Sequence, residues 1–467
     1  MATIYWLGSA AQKSEIMTIT VSGSWAQYNY VEVLVNGKGP RLTLGTDGLT
    51  TANVADKIYR MINATAHDDN LLDDEWRTLG GQEVPELTEF EATYPGTGSV
   101  VTVKGKPGVE AQITLSASGG TTTLGETQAA TGKWFWNNAE NWSSGSVPAN
   151  NDIVYFDHRA RASCLYGLPM GNLSLQELHV TQGFSGFRLG LPAINRHDPE
   201  TSRLQPEKEW YAEYRRRLAT FSDESGDPSS SVFVIGEGRG AGAKFIGIKQ
   251  DEFASKLTVH KTGTPLVGER HVVHFDPDDS VANSDVCVHG GSVALSPDVS
   301  TDTGMYTNID IGPGADVYIG PAASVTGGTP KITQNGGNLQ IDTATLTGAT
   351  ITVLGGVCEM MQGATQTTHL KVFAPGVCYF SGTGATNGLV GTIYLSGTLS
   401  FARAVGQITW TSYPTVVQMT KGARVFDPQR LVQWHATNGI DLVGCSIAEV
   451  TLDLGKNITI TKLANDP

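Results

Sequence analysis

Two carboxylates, Asp310 and Asp316, flank a glycine-rich bend and are the acidic pair best spaced for acid–base work. Glycoside hydrolysis needs such a pair about 5–9 Å apart on one face. Asp276, Asp278, Asp279, Asp302 and Asp342 supply further acids. No aromatic-lined groove pattern accompanies any of them, so solvated surface acids are the plainer reading. Four histidines, His260, His271, His274 and His289, lie close in sequence. His271 and His274 form an HxxH, which on a strand points to both faces, so ordinary core or surface histidines are expected rather than a metal site. The run Ile235-Gly-Glu-Gly-Arg-Gly-Ala-Gly-Ala-Lys244 contains a GxGxG, but a strand-like Phe245-Ile-Gly-Ile248 follows it. A dinucleotide fingerprint requires a helix there, and a P-loop requires a closing Gly-Lys-Ser/Thr. The glycines therefore read as a tight corner. The five cysteines, Cys164, Cys287, Cys358, Cys378 and Cys445, include no CxxC and suggest neither a zinc set nor a disulfide framework. No cofactor and no metal are expected.

The elements that position these residues are legible as a repeat. The unit is a short alternating strand, a glycine corner and another short strand. It recurs at 286–295, 309–319, 332–341, 351–360, 370–380 and 393–401, and more weakly at 417–426. The corners are Gly290, Gly314, Gly337, Gly356, Gly376 and Gly397, and Cys358 and Cys378 hold equivalent places in successive units. A spacing of roughly 19–25 residues is that of one solenoid coil, whose apolar face is buried only by stacking on its neighbours. The fold class expected is mainly β: a right-handed parallel β-solenoid preceded by a small α+β domain. A β-sandwich is the competing architecture, since glycine turns and short strands suit both. Earlier coils are expected around 175–180, 232–235 and 257–260.

Upstream, the sequence divides into an arm at 1–13, an α+β docking module at 14–130 and the solenoid from 131 to 467. In the module, strands are expected at 16–21, 31–35, 41–44, 99–103 and 111–115. Asn36-Gly37 marks a hairpin. A helix capped by Thr50 or Thr51 turns Val54, Ala55, Ile58, Met61 and Ile62 to one face, with Asp56, Lys57 and Arg60 elsewhere. Residues 118–123 read as the exit linker. Trp134, Trp136 and Trp142, with Pro148 turning the chain toward a strand at 153–156, read as a cap over the solenoid's first coil. The charged stretch 196–230, with Arg215-Arg-Arg217, reads as an insertion. Trp210, Tyr214, Leu218 and Phe221 would align there on a helix, and an extended excursion is the other reading.

Composition narrows the function. Only 17% of residues are charged, 55 are glycine and the net charge is −14. An acidic surface disfavours nucleic-acid partners. No basic, apolar leader and no membrane span are visible.

The stretch from Trp136 to Phe156, with Ala139-Glu-Asn-Trp142 and Asp152, is similar to the opening segments of β-helical passenger proteins. The module with Asn36-Gly37 and the helix after Thr51, joined to Gly-Gly coils that end in Asn438-Gly-Ile-Asp-Leu442 and Val450-Thr-Leu-Asp-Leu-Gly455, resembles structural proteins of tailed-bacteriophage virions. That resemblance implies a non-enzymatic virion component, a capsid decoration or a tail spike or fibre part. It implies assembly in the host cytoplasm, other virion proteins as partners and a homo-oligomer, with a trimer as one form. It transfers no catalytic residue. A tailspike depolymerase using Asp310 and Asp316, and a passenger-type adhesin, are the alternatives.

Overall fold

A computed structural model describes residues 2–35, 41–45, 49–63, 87, 90–110, 113–192, 217–222, 231–251, 254–266, 268–277, 284–297, 304–326, 330–342, 346, 348–361, 369–381, 392–404, 416–432 and 439–454. Asn36-Gly37, Asp278, Asp279, Asp302, Trp210, Tyr214 and nearly all of 196–230 lie outside the described residues.

The chain is mainly strand, and its strands pair in parallel with the strand one coil further on. A first ladder stacks thirteen described strands, from Thr3–Tyr5 through Ile153–Phe156, Glu177–Val180, Ser231–Ile235 and Ser255–Val259 to Gly439–Leu442. A second ladder runs beside it from Ala219–Ser222 and Phe245–Asp251 to Thr451–Asp453. This is a parallel solenoid, and the sandwich is excluded because these ladders contain no antiparallel pair. Along each strand alternate residues turn inward. In Lys331–Gln334 and Asn338–Ile341, Ile332, Leu339 and Ile341 are fully buried while Lys331 and Asn338 face out. The inward residues of all coils join one apolar cluster reaching from Ile4 to Leu454.

Sequence chemistry explains the corners. Gly337 has φ +68° and Gly356 has φ +76°. A Cβ on either would lie 2.2 Å from a carbonyl oxygen of the coil beneath, of Ala315 and Gly337 respectively. Only glycine meets both conditions. Gly376 and Gly397 have ordinary φ but crowd backbone of the coil beneath, the Val353 carbonyl at 3.0 Å and the Gly376 carbonyl at 2.6 Å. Gly290 and Gly314 differ. They pair with each other inside two long strands, Ser284–Leu295 and Gly304–Ile319, which bend through the corner without stopping. Cys358 and Cys378 pair in register, fully buried, and both are free thiols.

Two findings change the reading of the ends. Thr3–Tyr5, from the segment read as an arm, lies parallel on Ile153–Phe156 as the outermost rung. Residues 118–123 are not a linker: Thr121–Gln128 is a strand antiparallel to Ile16–Ser22. That alternation is Thr-rich rather than apolar, which hid it. Residues 14–128 contain a four-stranded and a three-stranded antiparallel sheet. The helix Thr51–Ile62, capped by the Thr50 hydroxyl accepting from the Asn53 N–H at 3.2 Å, shares one apolar cluster with both sheets. Val54, Ala55, Ile58, Met61 and Ile62 are buried as expected. Lys57, expected outside, is buried too, at 3% exposure. The chain leaves and rejoins the solenoid at one point, where Lys13 and Thr131 form an antiparallel bridge.

Candidate functional site

The tryptophan-rich segment closes the solenoid's first end. Trp136 and Trp142 are 2% exposed, with ring centroids 4.7 Å apart and edge-on. Trp6 meets Trp142 at 4.9 Å, and its indole N–H donates to the Ala162 carbonyl at 2.9 Å. The Trp142 N–H donates to the Trp136 carbonyl at 2.7 Å. The Trp6 and Trp142 indoles thus bury their rings while satisfying their one donor. Trp134 packs separately, against the smaller cluster of Phe135, Leu165, Tyr166 and Leu191. Pro148 is buried. Trp6 was missed because 130 residues separate it from its partners in the chain.

Beside this end a cleft of about 1180 Å³ opens between the sheet bearing Thr121–Gln128 and the first coils. Glu126, Phe135, Pro148, Met170, Arg217 and Thr220 are among its lining residues. Across it Arg217 donates to Glu110 at 2.6 Å, tying the two parts together. Met170 stands at 86% exposure. Arg217, Leu218 and Phe221 came from the charged stretch for which a helix was one reading. Instead Ala219–Ser222 is a strand on Phe245–Asp251, and Phe221 is fully buried because the coil needs an inward aromatic there.

Asp310 and Asp316 lie on the two arms of one bent strand, Gly304–Ile319. Asp310 is exposed on the first ladder, in register with Cys287 and Thr333. Asp316 sits on the second ladder, in register with Ser292 and Asn338. The bend between them places Asp310 on the first ladder and Asp316 on the second. Burial raises the Asp316 pKa, opposed by the nearby Arg270 guanidinium. Asp342 accepts from the Tyr318 hydroxyl at 3.0 Å.

The four histidines divide as well. His271 and His274 are buried on the second ladder. His271 Nδ1 lies 3.0 Å from the Ser292 hydroxyl and its ring stacks on Tyr318 at 5.7 Å. Burial, with the neighbouring His274 and Arg270, lowers its pKa to about 4. His274 lies against Phe245 and 3.3 Å from Glu269. On the first ladder's outer edge, His260 and His289 stack at 5.2 Å, and His289 Nε2 lies 3.5 Å from Cys287 Sγ. Burial, then the charge of Asp310, raises the Cys287 pKa.

This edge continues toward the capped end. His179, 8% exposed, stacks on Tyr155 at 4.4 Å with ring planes 10° apart, and Tyr155 stacks on Tyr5 at 5.4 Å. The glycine run 236–242 is a structural corner here. A Cβ on Gly236 would lie 1.7 Å from the Lys261 carbonyl, and one on Gly240 would lie 1.9 Å from that of Gln182. What the run presents is Glu237, whose carboxylate lies 3.4 Å from His179 Nδ1 and 3.8 Å from His260 Nε2. Sequence inspection missed this grouping, because its members come from three successive coils and meet only once the register is known.

No family model, no curated protein and no solved structure matches the chain. No helix among the described residues is long and apolar enough to cross a membrane.

Proposed function

We propose that this chain is a non-enzymatic structural component of a tailed-phage virion, displayed as a capsid decoration or as part of a tail spike or fibre. The observation that carries the reading is the single column of stacked parallel coils around one continuous apolar core, closed at its first end by Trp6, Trp136 and Trp142. Such a column is stiff, because each coil's backbone is bonded to its neighbours and its interior is dry. The antiparallel unit inserted beside the capped end supplies a separate body for attachment to the particle. Other virion proteins are then its partners, a homo-oligomer such as a trimer its working form, and the host cytoplasm its place of assembly. The depolymerase reading is the alternative, with Asp310 and Asp316 on the two arms of one bent strand, Gly304–Ile319. Mass spectrometry of gradient-purified particles is the test. The chain is expected at stoichiometric abundance in the particle band, and its restriction to the soluble lysate would refute the proposal.

A further inference from the structure

We propose that the strand Thr121–Gln128 takes an extended, Lys- or Arg-bearing segment of the particle protein to which the column attaches. The segment adds to the strand's open edge and seats one end in the cleft beside the capped end. This deepens the attachment role proposed above and rests on it. The four-stranded sheet has two edges, and they are finished differently. One is Phe90–Thr93, four residues long, and the Asn63 amide plugs it. Asn63 Nδ2 donates to the Ala92 carbonyl at 2.9 Å, and its Oδ1 accepts from the Ala92 N–H at 2.8 Å. The other is Thr121–Gln128, eight residues long. It pairs with Ile16–Ser22 on one side. On its other side it makes no backbone hydrogen bond among the described residues. Thr121 to Glu126 keep unbroken register with Ser22 to Met17, so alternate residues of this run turn N–H and C=O groups to the open side. Proline and lysine are the usual guards of such an edge. The run Thr121-Thr-Thr-Leu-Gly-Glu126 has neither, and Glu126 is its single charge. A bare, regular edge is a template for an added strand.

The cleft indicates what the segment carries. Leu124 and Glu126 of this strand line it, and Pro148, Pro169, Met170 and Leu173 line it from the coils. Its volume of about 1180 Å³ exceeds the roughly 300–1,000 Å³ of a small-molecule pocket and suits the side chains of a peptide. Met170, 86% exposed, is an unbranched thioether that adapts to an apolar side chain set against it. The cleft's two basic residues are already matched, Arg217 by Glu110 at 2.6 Å and Lys249 by Asp251 at 3.2 Å. Glu126 is exposed and belongs to no ion pair among the described residues. An added strand sets one side chain opposite Glu126 and another, two residues along on the same face, opposite Leu124. A cation at the first place and an apolar side chain at the second match what stands there. A second copy of this chain is the poorer occupant. Its own edge offers threonines and Glu126 but no cation, and both copies carry a net charge of −14.

The test uses particles that carry the full chain with Thr123, exposed on this strand, replaced by the photo-reactive amino acid p-benzoylphenylalanine. After irradiation, mass spectrometry is expected to place the cross-link on one other particle protein, in an extended segment with a Lys or Arg two residues from an apolar side chain. Glu126→Lys should lower the chain's abundance in the particle band by about tenfold or more, since it sets like charge against like. Glu91→Lys makes the same charge change at an exposed side chain of the plugged edge and should leave that abundance unchanged. Three results, each with the chain present in the particle band, would overturn the proposal while leaving display on the particle standing. They are no cross-link from position 123, a cross-link to residues 121–128 of a second copy, and full incorporation of Glu126→Lys. Absence of the chain from the band would instead overturn the display reading, and this inference with it.

Discussion

Gly314 and Gly356 both read as corners in the sequence, but the register stacks Gly356 on Gly337 and Ala315, one residue past Gly314, and the two glycines bear different loads. A Cβ at Gly356 meets a main-chain oxygen at 2.2 Å and must adopt φ +76°, whereas a Cβ at Gly314 has 3.7 Å to its nearest neighbour. Gly356→Ala is therefore expected to cost about 3 kcal/mol or more, and Gly314→Ala about 0.5 kcal/mol or less, measured by denaturant unfolding. Equal effects would contradict the corner geometry. His271 makes a second prediction at this scale. Its folded pKa of about 4 lies below the ordinary histidine value of 6.5, so the unfolded chain binds more protons between those values. The stabilisation is fully present above pH 6.5 and is lost as pH falls toward 4, where the folded state takes up the proton as well. His271→Gln should flatten the fall in Tm over that window, while His158→Gln, at a site 77% exposed, should not.

Strands and corners explain what could be read in advance. The units at 332–341, 351–360 and 370–380 were legible because each carries its alternation, its glycines and its return strand within a dozen residues, and each became two paired strands. The helix was legible from period and cap. Two features were not, and each for the same reason: their partners are distant in the chain. Thr3–Tyr5 is too short to signal a strand and gains its meaning only on Ile153–Phe156. His179, Glu237 and His260 meet only through ladder register, Val234 aligning with both His179 and Thr258. The inserted unit gives a prediction at this scale. Because Lys13 and Thr131 are neighbours, replacing residues 14–130 by a short glycine linker should leave the solenoid's β circular dichroism and its cooperative melt in place. Trp136→Ala should instead weaken the remaining column by about 3–5 kcal/mol, since it opens the cap. A deletion variant that fails to fold while Trp136→Ala melts normally would reverse these assignments.

At the scale of the whole molecule, thirteen stacked strands at ~4.8 Å spacing make a column about 58 Å long. Its surface carries the net charge of −14, which favours solubility and keeps separate columns apart. The most direct measurement is electron cryomicroscopy of the intact particle. The account predicts rod-shaped density about 58 Å long projecting from head or tail, with the tryptophan-capped end and the antiparallel unit toward the particle. Well-resolved particles in which every head and tail density is assigned to other chains, with none fitting this column, would contradict it.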